Sequence, residues 1–402
     1  MLTVKTPSEV FELVRSRFGP LEAPAELVSL NNAAGRVLSC DITAEEHVPG
    51  FDRSTVDGYA VIAHDTFGCS DAIPAVLTLS GEVLMGQPAC AALTPGTCIA
   101  VSTGGDLPEG ANAVVMLEHT EDYGDGLVGV TSPAAPGNNI IFKGDDVSPG
   151  QKILAAGTVL CPHDIGILAA LGRIDVGVRK APLVGIISTG DELVEPSAVP
   201  KRGQVRDANA PLLTAAVHAA GAEAQNFGIV RDDETALRET LLRAAGRCDI
   251  VLISGGSSAG MRDLTARVIE SAGQMLMHGI AMKPGKPTIL GSIDGKPVWG
   301  LPGHPVAAYF VTELFVKPLI ARLMGAQSKQ FTATAHIGEA ISSNHGRAEY
   351  IAVVLDGNIA RPIRAKSGLI ASLSGADGYI CVPRDCEGLP KGAAVTVTYF
   401  GV

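Results

Sequence analysis

Carboxylates and lysines set around glycine-rich turns are the residues of this sequence best equipped for chemistry. Residues 250–253 are an apolar, β-branched run of buried-strand character, followed at once by Ser254, Gly255, Gly256, Ser257, Ser258, Ala259 and Gly260. Leu264, Val268 and Ile269 then recur at helical spacing, which predicts a helix over 261–272. A strand, a glycine loop and a helix in succession turn backbone N–H groups and a helix N-terminus toward an anion. Asp263 follows the loop, and Lys283 and Lys286 flank a Pro-Gly turn. One acid and two lysines beside a phosphate cradle specify a charged ligand and a divalent ion. A glycine loop can also be a plain connector, so the reading depends on what else converges there.

Two further strand ends supply that convergence. Residues 183–188 read as a buried strand ending in Thr189, Gly190, Asp191 and Glu192, and residues 224–229 as a strand ending in Arg231, Asp232 and Asp233. Helices are predicted over 210–220, with Gly221 past its end, and over 233–245, with Gly246 past its end. Strands alternating with helices at these lengths imply a doubly wound sheet, whose ligands sit beyond the carboxyl ends of the strands. Thr189 to Glu192, Asp232, the glycine loop and Asp263 all fall at such ends.

The remaining elements frame this region. Residues 7–18 predict an amphipathic helix with Val10, Phe11, Val14 and Phe18 on one face. Residues 49–62 hold Asp52 and Asp57 around a small polar turn, and Gly58 there permits close backbone approach; aspartates in such a loop ordinarily cap turns. From 73 to 150 short periodic runs are broken by Gly and Pro every eight to twelve residues, an all-β pattern. Within it Thr103 stands on a Thr-Gly-Gly turn, and Asp145 and Asp146 form an acid pair suited to solvent or to a metal. Pro162 opens a predicted helix. Residues 298–301 run into Pro302, Gly303, His304 and Pro305, and a helix is predicted over 305–323 with His304 as its cap. From 331 onward alternation returns, with turns at Asp356-Gly357, Ser374-Gly375 and Lys391-Gly392, the pattern of a separate β domain.

Composition narrows the function. Among 402 residues, 31 basic side chains face 42 acidic ones, a net charge of −11 with no Lys/Arg-rich run to offset it. A general nucleic-acid binder is excluded on that balance, and an anionic substrate must be held by local lysines and backbone dipoles. The eight cysteines include no CxxC pair and the nine histidines no HxxxH or HExxH, which argues against zinc or thiol–disulfide chemistry. No run approaches the ~18 apolar residues of a membrane span and the first residues lack a secretory pattern, so a cytoplasmic protein without membrane partners is expected.

Seven stretches taken together resemble the molybdopterin molybdenumtransferase family, which includes the E domain of gephyrin. They are FDRSTVDGYAV (51–61), TGGDLPEGANAVVMLE (103–118), STGDEL (188–193), RDD (231–233), SGGSSAGMRD (254–263), MKPGKPT (282–288) and GLPGHPVAA (300–308). Their order and spacing span residues 5 to 400. The resemblance implies four parts in an α/β multidomain protein. A discontinuous domain (1–44 and 147–177) encloses an inserted β domain (45–146). An α/β domain like that of molybdopterin adenylyltransferase (178–326) and a C-terminal β-barrel (327–402) follow. It also implies a homodimer whose active site lies between one subunit's α/β domain and its partner's inserted domain.

The implied reaction inserts molybdenum from molybdate into adenylylated molybdopterin and releases AMP, with Mg²⁺. Glu192, Asp232 and Asp263 are the expected Mg²⁺ ligands, a carboxylate set of the kind Mg²⁺ takes alongside phosphate oxygens. Thr189, Gly190, Asp191, Ser254, Gly255, Gly256 and Ser258 are expected to hold the phosphate end. Lys283, Lys286, Arg347 and Ser367, with Pro302 and Pro305, are expected to hold the oxyanion. Asp57, Thr103 and Asp146 are expected to position the pterin substrate or its attacking group. Molybdopterin adenylyltransferase and downstream cofactor-handling proteins are the implied protein partners.

The chain departs from the family pattern at several positions. Gly279 stands where many relatives have Lys, Ala307 where they have Ser, and Ala352 near a usual Arg; His304 replaces a common Asn and Gly105 a common Ala. Fewer donors at the oxyanion leave the choice between molybdate and tungstate open. Two other readings compete. An adenylyltransferase would need neither the inserted domain nor the barrel, and a weakly catalytic dimeric scaffold would need none of Asp57, Glu192, Asp232, Asp263, Lys283 and Lys286.

Overall fold

The computed structural model describes residues 4–19, 25–255, 259–327, 330–363 and 366–401, with the side chains of 259–263 outside that description. The chain divides into two compact units. One comprises Met1–Ser39, Gly157–Cys161 and Val176–Val402; the other comprises Cys40–Ala156 and Pro162–Asp175.

The first unit is built on a six-stranded sheet. In chain order its strands are β1 (Leu183–Thr189), β2 (Glu223–Val230), β3 (Ile250–Gly255), β4 (Gln274–His278), β6 (Ile289–Ile293) and β7 (Lys296–Leu301), while β5 (Met282–Lys283) lies outside it. Their order across the sheet is β2-β1-β3-β7-β6-β4. The first four run parallel; β6 runs opposite to them, and the edge strand β4, antiparallel to β6, returns to their direction. Alternate residues of β3 feed two cores: Ile250 and Leu252 join one cluster, Val251 and Ile253 the other. Burial on both faces is why this strand reads as an unbroken apolar run.

Helices α1 (Pro7–Arg17), α2 (Asn209–Ala219), α3 (Glu234–Arg247) and α4 (Ala259–Ala272) pack around this framework. Asp233 caps α3 by accepting from the Ala236 N–H, and Thr6 and Glu9 form a reciprocal capping box on α1. On α1, Val10, Val14 and Phe18 are buried, whereas Phe11 stays 39% exposed with its ring centroid 4.9 Å from that of Phe315. The predicted helix over 305–323 is continuous, but residues Thr312–Val316 take a π turn between Pro305–Val311 and Lys317–Leu323. Pro318 has no N–H to continue the regular ladder at that point.

The C-terminal part closes into a five-stranded barrel. Strands β8 (Thr332–Ile337), β9 (Ala348–Asp356), β10 (Ile359–Pro362), β11 (Gly378–Val382) and β12 (Ala394–Tyr399) pair in the ring β9-β10-β8-β12-β11, which returns to β9. Ile337, Val353, Ala360, Ile380 and Val397 fill it. The two-residue strand β5 adds in parallel to β9, pairing Lys283 with Glu349.

The second unit carries a six-stranded sheet ordered Ala113–Met116, Gly58–Val61, Thr97–Val101, Ala75–Val83, Leu127–Val130 and Thr120–Gly124. Between 73 and 150 its described residues form strands and one short 3-10 turn, as the Gly/Pro spacing predicts. Gly58 is required by packing: a Cβ there would lie 1.9 Å from the Val115 carbonyl oxygen.

Candidate active site

Three carboxylates gather at the carboxyl ends of β1 and β2. The buried Thr189 hydroxyl donates to Asp232 Oδ1 at 3.2 Å, and the Asp232 N–H points at Asp191 Oδ1 at 3.4 Å. Glu192 folds back over Gly190, so that a Cβ on that glycine would lie 2.7 Å from Glu192 Oε2. The Asp232 carboxyl is pushed above its ordinary range, first by burial and then by the neighbouring charges of Asp191 and Glu192; the Thr189 hydrogen bond opposes the shift without cancelling it. Negative charge is thus concentrated at this point, which is the donor set a hard divalent cation takes. Carboxylate oxygens are the ligands Mg²⁺ takes, but Asp191, Glu192 and Asp232 do not bring theirs within 4.8 Å of one another, so these three alone do not close an ion site.

Strand β3 ends beside this cluster. Its register pairs Ser254 with Ser188 and Gly255 with Thr189. A Cβ on Gly255 would sit 2.1 Å from the Thr189 carbonyl oxygen, so the strand ends approach closely only because residue 255 has no side chain. Ser254 is buried and its Oγ accepts from Asn209 Nδ2 at 2.6 Å; the same Nδ2 donates to the Gly303 carbonyl at 3.0 Å. Asp207 fixes the start of α2 by accepting from the N–H groups of Asn209 and Ala210. Asn209 therefore ties the end of β3 to the loop after β7. Of the loop residues expected to hold phosphate, Gly256 and Ser258 lie outside the described residues, as does the side chain of Asp263; its backbone belongs to α4.

Beyond Gly303 opens a cavity of about 710 Å³ between the Met282–Pro287 turn, the start of the 305–323 helix and the barrel. Lys283, Lys286, Arg347 and Lys366 line it, with Glu349 the single acid among the described lining residues. Pro302, His304 and Ser367 also face it, whereas Pro305 opens the helix behind. His304 occupies the helix N-cap position, but its ring caps nothing: Nδ1 lies 2.9 Å from Ser367 Oγ, and the Val306 N–H donates to the Ser367 carbonyl. The expected cap is thus corrected to a contact with the barrel-side loop, because the nearest helix N–H is already satisfied by backbone. Lys283 Nζ meets Glu349 at 2.6 Å. Ala307 and Ala352 line the same cavity and give it neither hydroxyl nor charge.

Asp57, Thr103 and Asp146 belong to the second unit. Asp57 Oδ1 accepts from both the N–H (2.7 Å) and the hydroxyl (3.1 Å) of Thr103. Asp145 closes a turn by accepting from the Phe142 N–H, whereas Asp52 accepts from the Lys143 N–H and ties its loop to a segment 91 residues further along the chain. Asp146 is exposed and its N–H donates to the Val48 carbonyl. Sequence reasoning missed Asn209, Glu349 and Lys366. Only Lys366 carried a signal, a cation beside Ser367; the other two act through partners distant in the chain.

Comparison with known proteins places the whole chain in one family. Residues 5–172 match the family description "MoeA N-terminal region (domain I and II)", residues 185–322 "Probable molybdopterin binding domain", and residues 334–400 "MoeA C-terminal region (domain IV)". The chain is 34% identical to a molybdopterin molybdenumtransferase of Haemophilus influenzae, over 82% of this chain and 80% of that one. It is 32% identical to the molybdopterin molybdenumtransferase of Bacillus subtilis, over 99% and 95%. A crystal structure of the molybdopterin biosynthesis moeA protein from Pyrococcus horikoshii superposes with a TM-score of 0.88 at 38% identity, covering 99% of this chain and 100% of that one. With relatives matched along nearly their whole length and all three regions recognised in order, the chain belongs to the molybdopterin molybdenumtransferase family.

Proposed function

We propose that this enzyme of molybdenum cofactor biosynthesis transfers molybdenum from molybdate to adenylylated molybdopterin and releases AMP. The observation that carries the reading is the pairing of two oppositely charged regions through one side chain. A carboxylate cluster at the strand ends and a cationic cavity are joined by Asn209, which holds Ser254 with one hydrogen of its amide and Gly303 with the other. A phosphoanhydride with its divalent ion suits the first region and a tetrahedral oxyanion the second.

Glu192 and Asp232, with Asp191 beside them, would hold Mg²⁺, and Asp263 is assigned to the same ion by the resemblance. When bound, the ion neutralises charge that develops on the phosphate oxygens. The buried Ser254 hydroxyl accepts from Asn209, which leaves its own proton to donate toward the substrate side. Thr189, Gly190 and Gly255 contribute backbone at the same strand ends. Lys283, Lys286, Arg347 and Lys366 provide the attraction for molybdate, and Ser367, oriented by His304, provides a hydroxyl. Asp57 and Thr103 form a second hydrogen-bonded pair that, with Asp146, positions the pterin part of the substrate.

The enzyme is proposed to work in the cytoplasm as a homodimer; no helix among the described residues is long and apolar enough to cross a membrane. Light scattering should give twice 41.3 kDa. The test of the reaction is incubation with adenylylated molybdopterin, Mg²⁺ and molybdate. AMP release that requires molybdate supports the transferase, and nucleotide bound without turnover would sink it.

A further inference from the structure

Lys283 and Glu349 stand opposite one another in the parallel pairing of β5 with β9, and their side chains meet at 2.6 Å. The lysine side chain is 54% exposed and the glutamate only 12%. The other carboxylate oxygen of Glu349 accepts from the Ser343 hydroxyl at 2.7 Å. The carboxylate is thus pinned at both oxygens in the wall of a cavity where the other charged groups among the described lining residues, Lys286, Arg347 and Lys366, are all cations. A half-exposed ion pair contributes little to folding stability. Its effect on an arriving anion is larger, because that anion must take the ammonium away from a carboxylate that stays fixed nearby.

We infer that Glu349 is a specificity-determining residue of the oxyanion cavity: a built-in counter-ion that occupies Lys283 until a dianion displaces it. The inference rests on the oxyanion reading of the cavity and deepens it. Glu349 keeps Lys283 extended along the wall while the cavity is empty, and it lowers the affinity for the bound oxyanion so that the anion remains exchangeable. A monoanion at Lys283 would exchange one unit charge for another. A tetrahedral dianion brings two, and the other cations share the second.

Removing the carboxylate charge while keeping the shape should therefore tighten anion binding. At an effective dielectric of about 20 a unit charge a few ångströms from the anion has a large effect, and solvent screening reduces this to about tenfold in Kd. The test is titration calorimetry of the full chain with sodium molybdate, without nucleotide, comparing wild type, Glu349→Gln, Lys283→Met and the double variant. Glu349→Gln is expected to bind molybdate about tenfold more tightly than wild type. In the Lys283→Met background the same change should tighten binding much less, because the competition has lost its object. Unchanged or weaker binding by Glu349→Gln, with wild type binding normally, overturns the inference; so does an equal gain in the Lys283→Met background. Failure of wild type to bind molybdate at millimolar concentration would instead overturn the oxyanion reading itself. Melting curves establish that each variant is folded, and Glu349→Ala serves in the same comparison should Glu349→Gln not fold.

Discussion

Thr189 holds Asp232 through a 3.2 Å hydrogen bond that crosses from the end of one parallel strand to the end of its neighbour. The bond orients a carboxylate whose ionised form is disfavoured by burial and by two neighbouring acids. The native protein therefore holds the Asp232 proton to higher pH than the unfolded chain does, whose aspartate titrates near 3.8. Stability from this group is full below that value and falls as pH rises through the raised native value. Asp232→Asn keeps an acceptor for Thr189 and removes the charge. It should melt higher than wild type at pH 7, with the gap closing as pH is lowered into the carboxylate range. Turnover should fall by at least about a hundredfold. The stabilising effect of added Mg²⁺ on wild type should also shrink in the variant. A Tm at or below wild type at pH 7, with an unchanged Mg²⁺ response, would remove Asp232 from the ion's site.

Gly255→Ala probes how tightly the strand ends are drawn together. Its Cβ would stand 2.1 Å from the Thr189 carbonyl oxygen and 2.5 Å from the Thr189 methyl group, and the first of these is backbone that cannot move without breaking the β1–β3 pairing. A loss of about 3 kcal/mol or more is expected in urea denaturation, with much of the protein insoluble. Gly246→Ala, whose Cβ meets nothing within 4 Å, is the matched control and should change stability little. Equal behaviour of the two variants would contradict the close approach.

Much of this arrangement is legible in the amino-acid sequence. Residues 250–253 declare a strand because both faces are buried, and Gly221 marks a helix end because it follows the C-cap with a positive φ. Gly246, expected past the end of α3, instead lies inside it, since the helix runs on to Arg247. The strand ends carry their acids in the open, where Asp-Glu and Asp-Asp pairs have no core role to explain them. What stayed hidden depends on contacts far apart in sequence. Lys283 lies in a strand of two residues, too short for any period, and its partner comes from a barrel strand paired with it in the fold. Asn209 reads as an ordinary helix-start residue until Ser254 and Gly303 are seen on either side of its amide. His304 has the position of a cap, but its ring turns to Ser367, 63 residues away.

Arg347 and Lys366 extend the oxyanion assignment beyond the two lysines near the Pro-Gly turn. Both line the cavity from the barrel side. Each cation removed should weaken ground-state attraction for molybdate more than it slows the step that follows. For Arg347→Ala and Lys366→Ala we expect the molybdate concentration giving half-maximal AMP release to rise about tenfold, with the rate at saturating molybdate within about threefold of wild type. The dependence on ionic strength should flatten in both variants. A fall in the saturated rate with no change in the molybdate requirement would place these residues elsewhere in the reaction.

Asn209 is the most stringent test of the link between the two regions. The residue is 8% exposed, and its single Nδ2 satisfies a hydroxyl on β3 and a carbonyl on the loop that carries His304. Asn209→Ala leaves both acceptors without that donor and opens space where they meet. Losing buried hydrogen bonds of this kind costs about 1–3 kcal/mol, readable as a lower urea midpoint at unchanged slope. If the amide only stabilised α2, molybdate binding and AMP release would stay normal below the unfolding transition. If it couples the strand ends to the cationic cavity, the folded variant should bind nucleotide and molybdate separately at near wild-type affinity while turnover falls at least about tenfold, since the two reactants are then held without common alignment. Asn209→Asp keeps the size and Oδ1 but places a charge beside Ser254, and it should be worse than Ala in both stability and rate. Full turnover in the folded Ala variant would show that the two regions are aligned by something other than this residue.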